Sequence, residues 1–237
     1  ALILRAVADA VSACGDSAAA AQFWEQALIT ARALSDRASE VGLLLRLADA
    51  DLKAGLPTQA ARRYVEAKQV ARETGDRANE LRAWQGLANA QEAMGATEGA
   101  AESYANGLAL LPPGQDQAER LALLRELAAA HVRFNQPAEA IERYGQALAL
   151  AGELGDRVSE MQVLVGLGAA HAARGAVEQA LACQELALPI ARALGDVEQQ
   201  RAILSELVSE YTGLNRPAAA ASRREQMLSL AREAEDR

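Results

Sequence analysis

The sequence repeats with a period of forty residues, and this period limits the fold more than any other feature. Five aspartates lie forty residues apart, at Asp36, Asp76, Asp116, Asp156 and Asp196. A glycine or asparagine recurs at the same spacing, at Gly15, Gly55, Gly95, Asn135, Gly175 and Asn215. A period of roughly 20 to 50 residues is typical of solenoid proteins. Six units of forty, less three residues, account for all 237 residues, which leaves no segment for a separate catalytic domain.

Each unit is predicted to contain two α-helices. In the third unit, Leu81, Trp84, Leu87 and Ala88 form a helical apolar stripe that Gly95 ends. Proline begins the second helix of three units, at Pro57, Pro137 and Pro217. Gly75, Gly155 and Gly195 are expected as left-handed caps, each followed by an Asp that caps the next helix. The composition agrees, because the chain has 57 alanines, which favour helices, and eight aromatic residues.

The pattern resembles the tetratricopeptide repeat. One unit fills that motif's positions with Trp84, Leu87, Ala88, Gly95, Ala100, Tyr104 and Pro112. The resemblance covers the whole chain and concerns the forty-residue variety found in spindle-orientation scaffolds of the LGN/Pins kind and in bacterial signalling regulators. It implies an all-α, right-handed α-solenoid of six helix-turn-helix units, about twelve antiparallel helices, in one domain over residues 1–237. The approximate units are 1–35, 36–75, 76–115, 116–155, 156–195 and 196–237.

Three departures from the repeat predict local irregularity. The aromatic position of the second helix holds Gln184 in unit five and Arg224 in unit six, so we expect looser packing there. Pro189 falls inside a second helix, where it removes an amide donor and predicts a kink. Pro112 is expected to end the second helix of unit three early.

The sequence contains none of the common motifs for phosphate binding, metal-dependent hydrolysis or a nucleophilic serine, so we expect a non-enzyme without a cofactor. His131 and His171 share one position of consecutive units and are interpreted as packing residues rather than metal ligands. The net charge of −8 argues against nucleic-acid binding, and no apolar run is long enough to span a membrane. Two cysteines make no disulfide framework, which favours a cytoplasmic protein.

Protein binding is the remaining activity. The resemblance implies that the first helices line a concave groove, whose central units are polar and mainly basic. The predicted peptide-binding residues are Arg46, Asp49, Lys53, Arg82, Gln85, Asn89, Arg125 and Arg133. Arginine engages carboxylates through two parallel hydrogen bonds, and asparagine both donates and accepts, so we expect a peptide that is acidic or has a free carboxylate. Unit five instead has small residues at this face, Gly166 and Ala169 among them, which could seat an apolar side chain.

Two other interpretations stay open from the sequence. The arginines could pair with Asp49, Glu92 and Glu126 and hold the solenoid together without binding any ligand. The chain could also be a structural or self-associating spacer, because solenoids need polar terminal caps. The final helix has no extra capping helix after it, and Met227, Leu228 and Leu230 are expected to be exposed. This predicts either further repeats beyond the segment or a homodimer through the solenoid ends.

Overall fold

The computed structural model describes residue 6, residues 17–112 and residues 114–235. These residues form eleven α-helices and no strand. The helices are α1 (Ser17–Ala33), α2 (Arg37–Lys53), α3 (Pro57–Thr74), α4 (Arg77–Ala93), α5 (Thr97–Leu110), α6 (Gln117–Arg133), α7 (Pro137–Leu154), α8 (Arg157–Ala173), α9 (Val177–Leu194), α10 (Val197–Gly213) and α11 (Pro217–Glu235). The all-α helical-repeat fold is confirmed. The first of the twelve expected helices, with Cys14 and Gly15, lies outside the described residues.

The forty-residue aspartates act as helix N-caps at four of their five positions. The side chains of Asp36, Asp76, Asp156 and Asp196 accept a hydrogen bond from the backbone N–H three residues later. This bond satisfies one of the free amides of the first turn. Asp116 differs, because its φ of +50° places it in the left-handed region. The predicted caps are therefore confirmed where the Gly-Asp pair precedes the helix.

Left-handed residues separate the helices as expected. Gly75, Gly155 and Gly195 have φ values of +70°, +65° and +68°. Each of them is the C-cap of a second helix. Asn135 and Asn215 adopt φ values of +55° and +54° at the marker position where other units have glycine. Asparagine tolerates this conformation better than most residues with a β-carbon.

The chain divides into two compact units, Ala1–Asp116 and Gln117–Arg237. In the N-terminal unit, the core is built from Leu43, Leu44, Leu45, Leu47 and Tyr64, with fully buried alanines between the helices. In the C-terminal unit, the core includes Met161, Leu164, Leu188, Ile203, Leu204 and Leu207. Within each unit every helix packs against the next, and the first helices of neighbouring repeats also touch, as α2 and α4 do and as α6 and α8 do. The single 1–237 domain remains a prediction.

The irregular positions give a mixed result. Helix α9 continues through Pro189 from Val177 to Leu194, so the proline does not interrupt the helix. Gln184 is 2% exposed and its Oε1 is buried without a hydrogen-bond partner among the described residues, whereas Arg224 is exposed; the looser packing expected at these two positions stays a prediction. Helix α5 ends at Leu110 and has 14 residues, the shortest of the described helices, which confirms the early end before Pro112.

Candidate ligand-binding cleft

A close contact between a tyrosine and a glycine sets the spacing of α3 and α4 in the N-terminal unit. Tyr64 is 2% exposed, and its ring lies against Gly86. A β-carbon on Gly86 would lie 2.2 Å from the Tyr64 Cε1 atom, a distance that real side chains do not reach. Glycine is therefore required at residue 86, and this contact fixes where the Tyr64 hydroxyl emerges.

The Tyr64 hydroxyl joins a small polar network with Asp49 of α2 and Arg82 of α4. It donates a hydrogen bond of 2.5 Å to Asp49 Oδ1, and Arg82 Nη2 donates to Asp49 Oδ2. Burial, followed by the hydrogen bond to the Asp49 carboxylate, raises the pKa of Tyr64 well above its usual range. Tyr64 therefore remains a neutral donor at physiological pH, and both oxygens of Asp49 are occupied.

Asn89 has the same relation to the next tyrosine. The Tyr104 hydroxyl donates to Asn89 Oδ1 at 2.6 Å, and Asn89 lies fifteen residues before Tyr104, as Asp49 lies before Tyr64. The Asn89 carbonyl oxygen thus serves an internal donor. The group that Asn89 can offer to a ligand is its amide NH₂, which is a donor. This spacing was the signal in the sequence that could have revealed the network.

A cleft of about 290 Å³ opens above this network. Its lining residues are Asp49, Leu52, Lys53, Tyr64, Arg82, Gln85, Gly86 and Asn89. Five of the eight residues predicted from the sequence therefore surround one space. Lys53 and Arg82 supply two positive charges against the single carboxylate of Asp49, so the lining has an excess of positive charge. The size suits a side chain or a short peptide stretch rather than a large cofactor.

The other three predicted residues lie elsewhere. Arg46 is half-buried in α2 and does not line the cleft. Arg125 belongs to α6 in the C-terminal unit, where its Nη1 donates to Ser159 Oγ at 3.3 Å near the start of α8. Arg133, at the end of α6, is exposed. Arg125 thus makes a contact between neighbouring first helices, although its partner is a serine and not one of the carboxylates of the alternative interpretation.

The Arg82–Asp49 pair is an ion pair between α2 and α4, as that alternative interpretation supposed. The Arg82 side chain is 52% exposed and that of Asp49 is 36% exposed. Ion pairs with this much solvent access contribute only about 0.2–1 kcal/mol to stability. The pair is therefore weak enough for a ligand carboxylate to compete for Arg82, and its presence fits both interpretations.

Metal chemistry finds no support among the described residues. No group of three or more His, Cys, Asp or Glu side chains there is arranged to hold a metal ion. His131 Nδ1 lies 2.7 Å from Gln136 Oε1, so this ring nitrogen is engaged in a hydrogen bond with a residue five positions later. Burial, followed by the charge of Arg174, lowers the pKa of His171.

In the described part of the chain, no helix combines the length and the apolar character needed to cross a membrane.

Comparison with known proteins agrees with the fold. Residues 123–158 match the family model described as tetratricopeptide repeat. BtubC (BKLC) from P. vanneervenii superposes with a TM-score of 0.76 at 20% identity, covering 91% of each chain. A signal transduction ATPase with numerous domains from Pyrococcus horikoshii, which has a tetratricopeptide repeat sensor, gives 0.82 at 15% identity. That match covers 98% of this chain and 36% of the ATPase.

A third neighbour is a Rap protein complexed with competence and sporulation factor. Its TM-score is 0.59 at 15% identity, over 99% of this chain and 64% of the Rap protein. At such identities the likeness concerns the fold. No curated protein sequence matches the chain. The family model thus matches one stretch of the chain, and solved structures with tetratricopeptide repeats share its all-α helical-repeat fold.

Proposed function

We propose that the chain is a protein-interaction module, not an enzyme, and that its N-terminal unit binds an acidic or carboxylate-terminated segment of a partner protein. The binding residues in this proposal are Lys53, Arg82, Gln85 and Asn89, with Asp49 holding Arg82 in position. The single observation that carries it is the convergence of these side chains on one cleft.

The hydrogen-bonding capacity of the cleft favours a ligand rich in acceptors. Asp49 accepts from Tyr64 and Arg82, and the Asn89 carbonyl accepts from Tyr104. The groups that remain for a ligand are mostly N–H donors, on Lys53, Arg82 and the two amides. Carboxylates and backbone carbonyls are the acceptors that a peptide provides, and bonds to a charged partner are the stronger ones.

Two of the structural neighbours are consistent with such a role. The Pyrococcus horikoshii protein carries its tetratricopeptide repeats as a sensor, and the Rap protein was captured with competence and sporulation factor. They support a binding function for this chain without naming its partner.

A peptide array tests the proposal directly. Each peptide would be printed with a free and with an amidated C-terminus, and bound chain would be read for the wild type, Arg82→Glu and Lys53→Glu. We expect enrichment of Asp, Glu or free carboxylates, and at least tenfold weaker binding by Arg82→Glu, since a charged hydrogen bond contributes about 1.5–3 kcal/mol. Arg62→Glu, an exposed residue of α3, is the matched control and should bind as the wild type does. Equal binding by all variants would contradict the site.

One observation favours a second function, self-association. Leu228 of α11 is 58% exposed, although Met227 and Leu230 pack partly against the core of the C-terminal unit, so the expectation that all three are exposed is wrong. Light scattering over a range of concentrations would test it. A monomer at high concentration would argue against association through α11, and Leu228→Glu should dissociate any dimer that depends on this face.

A further inference from the structure

An open notch lies between the second helices α1 and α3 of the N-terminal unit, apart from the cleft that α2 and α4 frame. It has a volume of about 310 Å³, and its lining residues are Glu25, Leu28, Ile29, Arg32, Leu44, Arg63 and Glu66. Leu28 and Leu44 are buried and form an apolar floor, whereas Ile29 is 69% exposed. The notch thus combines an apolar floor with a large aliphatic side chain that projects into solvent.

Carboxylates outnumber arginines around the notch. The ion-paired groups are Glu25, Arg63 and Asp51 at one end and Arg32, Glu40, Glu66, Arg37 and Glu73 at the other. Five carboxylates therefore face three guanidinium groups. Glu25 and Glu66 are each 55% exposed, and each uses one oxygen in its ion pair, so the other oxygen can accept a further hydrogen bond. The notch favours a surface that is apolar at its centre and positively charged at its sides.

Helix α11 carries the complementary pattern. Leu228 is 58% exposed, and two exposed arginines, Arg224 and Arg232, lie four residues before and after it on the same face of the helix. Neither arginine forms an ion pair with another described residue. Among the described side chains of α11, Glu225 is the one carboxylate beside Leu228, so positive charge is in excess on this face.

The spacing of the charges agrees between the two surfaces. Glu66 is bonded to Arg32, which lies seven residues after Glu25 on α1, so the two exposed carboxylates are about 10 Å apart along that helix. Arg224 and Arg232 are eight residues apart, which is about 12 Å along α11. Two arginines of one surface can therefore reach both carboxylates of the other while Leu228 lies between them.

We propose that α11 of one copy of the chain docks into this notch of a second copy. Leu228 packs against Ile29, and Arg224 and Arg232 pair with Glu25 and Glu66. The inference rests on the self-association that the exposure of Leu228 favours, and it adds the surface that receives the helix. Because the two surfaces differ, two joined copies still have one unoccupied α11 and one unoccupied notch, so further copies add head to tail.

Two variants that each block one surface test the proposal by sedimentation velocity. Ile29→Glu blocks the notch and Leu228→Glu blocks α11; both replace exposed side chains, and circular dichroism checks that the fold is kept. We expect the wild type to form trimers and larger species as its concentration rises, and each variant alone to stay monomeric. Their equimolar mixture should form a 1:1 dimer and nothing larger, because each pair has one intact α11 and one intact notch.

Two further variants test the specificity of the contact. Leu34→Glu is the matched control, since Leu34 follows α1, is 69% exposed like Ile29 and does not line the notch, so this variant should assemble as the wild type does. Arg224→Glu should weaken the association severalfold, because it replaces an attraction with a repulsion. Added salt should weaken the wild-type association for the same reason.

The outcomes separate this proposal from the others. Equal assembly by Ile29→Glu and the wild type, or a mixture that stays monomeric, overturns it. If Leu228→Glu alone abolishes association, a symmetric contact through α11 stands and the notch is excluded. A wild type that is monomeric at every concentration overturns both the notch and self-association. Binding of acidic peptides near Arg82 uses a different surface and should be the same in all these variants.

Discussion

Single residues set both the close helix contacts and the local electrostatics of this protein. Gly86 and Gly166 admit the rings of Tyr64 and Tyr144 because they lack a β-carbon. Gly42 of α2 is equally helical but has open space where a β-carbon would lie. Glycine is thus required at some helical positions and tolerated at others, and the difference depends on what the neighbouring helix presents.

Replacing Gly86 with alanine is therefore expected to destabilise the fold. The new methyl group would overlap the Tyr64 ring, and overpacking of this kind costs typically 1–3 kcal/mol. Gly42→Ala is the matched control and should stabilise the chain by about 0.5–1 kcal/mol, because alanine is the better helix former. Urea unfolding followed by circular dichroism measures both. Equal stability of the two variants would contradict the ring-on-glycine contact.

Glu210 makes the stability of the C-terminal unit depend on pH. It occupies a position where other units have Ala90, Ala130 and Ala170, all fully buried, and its Oε2 is buried without a hydrogen-bond partner. Burial, followed by the charge of Glu206, raises the pKa of Glu210 from 4.5 to about 7. The folded chain thus holds a proton that the unfolded chain releases, so the stability that this one group contributes is fully present below about pH 4.5 and is lost as the pH rises through about 7.

Glu210→Gln should remove this pH dependence, and its urea midpoint should exceed that of the wild type at pH 8 more than at pH 5. The gain is expected to be about 1 kcal/mol or less, because the side chain is partly exposed and solvent screens it. Glu198→Gln, whose side chain is 85% exposed, is the control and should change neither midpoint. The quantity to compare is the difference between the urea midpoints of Glu210→Gln and the wild type. If this difference is the same at pH 5 and at pH 8, Glu210 titrates normally.

At the scale of the helices, the sequence predicted most of the structure because the signals that end and begin a helix are local. Asp76, Asp156 and Gly155 appear in the structure in the roles read from their spacing, and Pro57 and Pro137 begin α3 and α7. Pro189 predicts a kink by the same local rule; α9 contains this proline without a break, and the kink stays a prediction. Gln184 shows what the local pattern could not indicate, because a glutamine at this position of α9 is only 2% exposed.

The helix N-caps predict one substitution that lowers stability and one that raises it. Asp156→Ala removes the bond to the Ser159 N–H and should cost about 1 kcal/mol. Ala176 stands at the N-cap of α9 with no side-chain bond, so Ala176→Asp should stabilise the chain by about 0.5–1 kcal/mol. Thermal unfolding would show a lower midpoint for the first variant and a higher one for the second. A change in the same direction for both variants would mean that the capping bonds do not control these helix ends.

At the scale of the whole molecule, the repeat predicted the all-α helical-repeat fold, and five of the eight candidate residues lie around one cleft. The common cleft of Asp49, Lys53, Arg82, Gln85 and Asn89 follows from the family's groove positions, because equivalent faces of successive helices lie side by side. The sequence could not decide whether Arg82 pairs with Asp49, since that depends on side-chain geometry between two repeats. That Tyr64 and Tyr104 occupy the acceptors of Asp49 and Asn89 is visible in the sequence only as a shared spacing of fifteen residues.

The central claim is that the cleft of the N-terminal unit binds carboxylate-bearing peptides. The measurement that tests it most directly is a nuclear magnetic resonance titration of the labelled full chain with the strongest acidic peptide from the array. We predict saturable shifts of the backbone amides of Lys53 and Asn89 and of the Arg82 guanidinium, with the same peptide carrying amides in place of its carboxylates causing none. Saturable shifts confined to residues outside the cleft, or identical shifts with the amidated peptide, would contradict the claim.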